Sequence, residues 1–113
     1  MKDYTGIIIK ESLDDSNLIN SFQIIKVVKE SISPRNKWHL YTVKVSKEDI
    51  PRISKHIISN KYYIHFWKGK EIIVAFKHKI FTFNHDNKTS WKPAVDYGIS
   101  IGIPKEQLDF PIE

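Results

Sequence analysis

The chain contains no cysteine, which excludes disulfide staples, thiolate zinc sites and cysteine nucleophiles. Glycine is scarce. The four residues at 6, 69, 98 and 102 lie far apart and form no phosphate-cradling loop. No serine stands in a Gly-x-Ser-x-Gly elbow. The five histidines, His39, His56, His65, His78 and His85, show neither His-x-His nor His-x-x-x-His spacing, so no metal site and no cofactor are expected. The neighbouring carboxylates Asp14 and Asp15 diverge in most conformations and are read as capping residues, not as a hydrolase pair. No apolar run approaches the ~18 residues that a membrane helix needs, so no membrane partner is expected. The triplet Ile7-Ile8-Ile9 ends at Lys10, too short for the core of a secretory signal, and the expected location is cytoplasmic.

What is present describes a folded domain. The 113 residues are 41% hydrophobic and 27% charged, a globular balance, and one α+β domain over residues 1–113 is expected. The formal net charge is +5. Sixteen lysines against two arginines, with nineteen isoleucines and two alanines, point to AT-rich bacterial codon usage. They make the charge first of all a solubilising surface, because nucleic-acid sites more typically use arginine for bidentate contacts. The charge is uneven: from Asn60 to Trp91 six lysines face only Glu71 and Asp86, in the segment that holds most of the aromatics.

Hydrophobic periodicity places the elements. Thr5 to Glu11 reads as a strand, with Ile7-Ile8-Ile9 buried on both faces. Asp14 to Asn17 is cap chemistry, followed by one helical turn through Leu18-Ile19. Phe22 to Lys29 and Trp38 to Val45 are strands, the latter with His39, Tyr41, Val43 and Val45 on one face. Ser46 and Asp49 have capping-box spacing, and Asp49 is an equally good N-cap. Pro51 suits a first helical turn, and Ile50, Ile53 and Ile57 supply an apolar stripe that Asn60 would end. Ser90 is expected to cap a second helix, with Pro93 in its first turn. Its buried side would be Trp91, Ala94, Val95 and Ile101, and Gly102 would stop it in the left-handed conformation. Leu108 and Phe110 would pin the C-terminal segment to the core.

Between the helices, Tyr62–Trp67, Glu71–Phe76 and Lys79–Asn84 form a three-stranded meander. A three-residue loop, Lys68-Gly69-Lys70, sets Phe66 opposite Ile72 and Ile64 opposite Val74. A two-residue loop, Lys77-His78, sets Val74 opposite Phe81 and Ile72 opposite Phe83. This register collects Tyr62, Ile64, Phe66, Ile72, Val74, Phe76, Phe81 and Phe83 on one core face. The other face then carries Tyr63, His65, Trp67, Glu71, Thr82 and Asn84, the candidate binding face. His65 would do acid–base work there if Glu71 oriented it, which makes a small enzyme using His65 the third functional reading.

Aromatics beside lysines on a sheet are also the composition of single-stranded nucleic-acid platforms, with Tyr63, Trp67, Lys68, Lys70, Lys77 and Lys79 as candidates. That is the second reading, since no ribonucleoprotein motif is present. The first is a cytosolic binding or regulatory module without enzymatic activity. A protein partner or small ligand stands ahead of nucleic acid, and a homodimer is one form the partner could take.

Glu11-Ser12-Leu13, the stretch from Tyr62 to Trp67, Phe76 to Phe81, and Tyr97 to Pro104 continuing through Gln107 to Phe110 carry a resemblance over nearly the whole chain. In these the sequence resembles a family of small uncharacterised prokaryotic proteins with no established activity, most distinctively at Tyr97 to Phe110. The resemblance implies that the C-terminal segment belongs to the fold. Similar proteins carry Asp or Asn where His78 stands, which implies a turn there rather than a functional histidine. The fold expected is an antiparallel-rich sheet of five to six strands with two helices on one face. Its first four strands and the helix from Asp49 would make a ferredoxin-like variant, although the segment before Phe22 is short for that fold's first helix.

Overall fold

The computed structural model describes residues 3–31, 37–58, 62–105 and 108. The expectations for Asn60 and Phe110 lie outside these residues. Six strands, β1 (Tyr4–Ile9), β2 (Gln23–Ser31), β3 (Lys37–Val45), β4 (Tyr63–Lys68), β5 (Glu71–Phe76) and β6 (Lys79–Asn84), form one sheet in the order β2-β3-β1-β4-β5-β6. Every neighbouring pair is antiparallel. Two α-helices, α1 (Asp49–Lys55) and α2 (Lys92–Ser100), complete the α+β architecture.

The first four strands have the order β2-β3-β1-β4, the arrangement of a ferredoxin-like β-α-β-β-α-β unit. Its second helix is α1. Its first is reduced to two 3₁₀ turns, Lys10–Ser12 and Ser16–Ser21. The reduction follows from the residues available. Asp15 caps the second turn by accepting from the Asn17 N–H at 3.1 Å; Ile19 and the following Phe22 are buried, and Leu18 packs partly against the core. Strands β5 and β6 extend this unit beyond β4.

The helices pack on opposite sides of the sheet, and this corrects the expectation of two helices on one face. Helix α1 sends Ile50 and Ile53 onto the side that carries Tyr4, Ile8, Val43, Val45, Ile64, Phe66, Ile73 and Ala75. Trp91 and Ala94 of the α2 segment pack with Ile72, Val74, Phe76 and Phe83 on the other. Strand β5 lies between them and is apolar on both faces, the pattern of a strand with no solvent side. The β1 triplet does not follow that pattern: Ile8 is fully buried while Ile7 and Ile9 are half-buried.

The β4–β5 register also differs from the expected one. The turn is two residues, Gly69-Lys70, so Phe66 lies opposite Ile73, Trp67 opposite Ile72 and Tyr63 opposite Phe76. Gly69 has φ +59°, the positive value that the first central residue of a type II′ hairpin needs and that glycine adopts without steric cost. The β5–β6 register is as expected, with Val74 opposite Phe81 and Ile72 opposite Phe83. The expected core face therefore splits. Tyr62, Ile64 and Phe66 belong to the α1 side, and Ile72, Val74, Phe76, Phe81 and Phe83 to the α2 side.

Local signals set the helix ends. The Asp49 carboxylate accepts from the Ser46 N–H and hydroxyl, both at 3.0 Å, closing the turn before α1. Ser54 of α1 is buried and donates its hydroxyl to the Phe76 carbonyl, while Lys77 Nζ reaches the Ile57 carbonyl at 2.7 Å. The end of α1 is thus bound to the β5–β6 turn. Ser90 does not cap α2. It lies in a 3₁₀ turn, Lys88–Trp91, and its hydroxyl donates to the Asn87 carbonyl at 2.6 Å, so its bonding is spent on the connection from β6. At the far end Gly102 has φ +100°. Its N–H reaches the Ile99 carbonyl at 3.1 Å and the Ile103 N–H reaches the Gly98 carbonyl at 3.0 Å, a complete Schellman motif.

Candidate functional site

The one-residue difference at Gly69-Lys70 divides the candidate face named from the sequence. Tyr63, His65 and Trp67 alternate on the side of β4 that faces α2, opposite Phe76, Val74 and Ile72. Glu71, Thr82 and Asn84 lie on the α1 side, where Glu71 pairs with Asn84 and Thr82 with Ile73. His65 and Glu71 are therefore on opposite faces of the sheet, and Glu71 does not orient the His65 ring. That ring instead stacks on Trp67, centroids 5.4 Å apart and planes at 29°.

Glu71 and Asn84 of the set have structural partners. Glu71 Oε2 accepts from the Tyr4 hydroxyl at 2.6 Å. Asn84 holds the exit of β6: its side-chain oxygen accepts from the Asp86 N–H at 2.9 Å and its carbonyl from the Trp91 indole at 3.0 Å.

The aromatic and basic residues do not form a continuous strip. Trp67 is 7% exposed, so its ring offers little surface for a stacked base. Lys68 and Lys70 flank the β4–β5 turn, where Lys68 reaches Asp3 at 3.4 Å and Lys70 pairs with Asp86. Lys77 and Lys79 stand at the other end of β5, a strand length of about 20 Å away. Lys79 Nζ lies over the Phe81 ring at 5.6 Å.

A different group of residues converges on the part of the sheet that α2 leaves uncovered. Thr5 of β1 lies between Lys44 of β3 and Trp67 of β4. Lys44 Nζ donates to Thr5 Oγ1 at 2.7 Å. Thr42 follows two residues before Lys44 on the same side. A β-bulge between Ile24 and Lys26 turns Ile25, 51% exposed, toward them. These residues, with Asp3, Lys68 and Gly69 at one end, line an open depression of about 420 Å³. It offers the Lys44 ammonium, two hydroxyls and an apolar wall, with the Lys68 ammonium and its partner carboxylate Asp3 at its end. That is chemistry for holding a ligand, with no nucleophile–base pair built into it.

Sequence reading passed over Thr5, Ile25, Thr42 and Lys44. A signal was present in β3, where Thr42 and Lys44 alternate with the core residues Val43 and Val45, but only the strand order brings Thr5 and Trp67 beside them.

Among the described residues no three His, Asp or Glu come together as a metal-ligating group. Carboxylate–imidazole pairs occur singly. His39 donates its N–H to Glu11 Oε1 at 2.8 Å and its ring lies 2.9 Å from Oε2, while His56 Nδ1 lies 2.8 Å from Asp14. Partial burial works to raise the Glu11 pKa, but the bonds from His39 outweigh it and the net direction is down. Together with the Asp14 N–H bonded to the His56 carbonyl at 2.8 Å, these contacts fasten the 3₁₀ segment to β3 and α1.

No helix among the described residues is long and apolar enough to cross a membrane. Comparison with known proteins finds no matching family model, no similar curated protein and no similar solved structure.

Proposed function

We propose that this chain is a non-enzymatic binding or regulatory module whose binding surface is the uncovered part of the sheet around Thr5, Thr42 and Lys44. One observation carries this reading: α2 covers only the β4–β6 end, and beside it a cation, two hydroxyls and an apolar wall surround one depression. The group that fits is an anion, carboxylate or phosphate, joined to a small apolar or planar body. Lys44 would hold the charge, the threonine hydroxyls would donate to its oxygens, and Ile25 with the edge of Trp67 would meet the rest. A free small ligand and a partner's acidic side chain share this chemistry.

Titration of ¹⁵N-labelled protein with glutamate, inorganic phosphate and adenosine monophosphate tests it by amide shift mapping. Saturable shifts centred on Thr5, Thr42 and Lys44, lost in Lys44→Ala, support the reading. Absence of saturable shifts with all three probes, or shifts centred elsewhere, overturns it.

A further inference from the structure

A second depression, on the outer side of α2, has a different chemistry. It measures about 470 Å³ and has an apolar floor of Trp91, Val95, Ile99 and Leu108. Trp91 and Leu108 are buried to 6% exposure, Val95 is half-buried, and Ile99 stands 46% exposed. Lys88, Lys92 and Lys105 surround this floor, and Asp96 is the acidic residue among the lining side chains. Asp96 accepts from Lys92 Nζ at 2.8 Å, an i,i+4 pair on α2. Lys88 Nζ lies 3.5 Å from the centre of the Trp91 ring. Two ammonium groups, those of Lys88 and Lys105, thus remain beyond the Lys92–Asp96 pair.

Each half of this arrangement narrows the occupant. The floor is recessed. Its largest side chains, Trp91 and Leu108, lie below the surface and Ile99 alone of the floor stands exposed, so it accepts an apolar knob from a partner more than it projects one. That geometry fits a protein segment better than a bilayer, into which exposed apolar side chains must insert. The rim is cationic, so the residues flanking the knob must be acidic; a basic segment would set like charges together. A short groove along one helix, with an apolar floor and a net positive rim, matches an amphipathic segment that presents an aliphatic or aromatic anchor between carboxylates.

We infer that the outer groove of α2 is a docking site for an acidic amphipathic peptide segment of a partner protein. The site is separate from the depression around Lys44, since it lies on the solvent side of α2 and shares no lining residue with it. It therefore stands or falls apart from the proposed function. The anchor enters between Val95 and Ile99, against Trp91 and Leu108. Its flanking carboxylates meet Lys88 and Lys105, and Lys92 exchanges between Asp96 and the partner.

Fluorescence anisotropy with three short labelled peptides tests this on the full chain. One carries Leu and Phe at i, i+4 spacing among Asp and Glu. The second replaces the acids by Lys, and the third replaces Leu and Phe by Ser. The expected result is saturable binding of the first alone. Lys88→Glu and Lys105→Glu should each weaken it by about 5-fold, and added salt should weaken it further. Ile99→Asp should abolish it. Ile99 and both lysines are exposed, so the thermal midpoints of these variants report whether the fold is intact. Equal binding of the basic or serine peptide, or no binding of the acidic amphipathic one, overturns the inference. So does preferential binding to vesicles of equal phosphatidylcholine and phosphatidylglycerol that is lost in Ile99→Asp, which would assign the groove to a membrane surface.

Discussion

The Tyr4 hydroxyl donates to the Glu71 carboxylate at 2.6 Å, joining β1 to β5 across the intervening β4. This bond, more than burial, pushes the tyrosine pKa from 10.0 up to about 12, because ionised Tyr4 would face Glu71 with like charge and no proton to share. A raised folded-state pKa means that the contribution is complete below the unfolded value and is lost as pH rises through the folded one. Stability should therefore hold to about pH 10 and fall toward pH 12. Tyr4→Phe should cost about 1–2 kcal/mol at neutral pH and flatten this alkaline limb. Urea unfolding midpoints across the pH series measure both.

Glu11 gives the opposite sign at the acid end. Its carboxyl lies below the ordinary value of 4.5, as the bonds from His39 outweigh partial burial. Its contribution is present above the unfolded value and is lost as pH falls through the lowered one. Glu11→Gln should therefore be less stable than the parent at neutral pH and lose less stability on acidification below pH 4.5. Thermal melts of the two proteins from neutral pH downward will show whether the curves converge.

Gly6 has no room for a side chain. A Cβ there would stand 2.3 Å from Cδ1 of Phe66, a fully buried ring on the neighbouring strand. Gly6→Ala should destabilise by about 2–3 kcal/mol, because neither β1 nor the ring can withdraw from the centre of the sheet. Phe66→Leu in the same chain should relieve part of that loss. A double-mutant cycle in urea then returns a coupling of at least about 0.5 kcal/mol.

Besides Gly69, His78 and Gly102 hold positive φ outside the strands, at +63° and +100°. His78→Gly removes a Cβ penalty in the β5–β6 turn and should raise stability by about 0.5–1 kcal/mol. Gly102→Ala introduces that penalty at the Schellman turn of α2 and should lower stability by about 1 kcal/mol. Parallel denaturant titrations should give shifts of opposite sign.

Phe76 and Phe81 calibrate the α2 side of the sheet. Phe76 is fully buried, with Tyr97 edge-on at 5.0 Å, whereas Phe81 is half-buried, short of the nearly complete burial that the pattern suggests. Phe76→Ala should cost about 3–5 kcal/mol and Phe81→Ala clearly less, since the cost follows the buried contacts removed. Equilibrium unfolding of both variants gives the comparison directly.

Local chemistry was legible wherever one kind of residue dictated one conformation. The three-residue spacing of Ile50 and Ile53 marked α1, Pro51 lay in its first turn, and Gly102 stopped α2 with the left-handed φ that its position implied. The alternation of Val43 and Val45 marked the inner face of β3, and the β5–β6 register followed from matching Val74 with Phe81 and Ile72 with Phe83. The short segment before Phe22 already limited the first helix of the ferredoxin-like unit, and 3₁₀ turns stand in its place.

What the sequence could not decide was the β4–β5 register, and the candidate face depended on it. A hydrophobic pattern selects a register only when one face of the sheet meets water. Ile72, Ile73, Val74 and Ala75 are all buried, so sliding β4 by one residue leaves β5 equally apolar on both sides. The pattern therefore said nothing, and the choice fell to the two-residue turn at Gly69 and to the placing of α1 and α2 on opposite faces. That choice sent His65 and Glu71 to different sides. The depression around Lys44 was hidden for a related reason: its residues come from strands far apart in the chain, and only the order β2-β3-β1-β4 sets Ile25, Thr42, Lys44, Thr5 and Trp67 side by side.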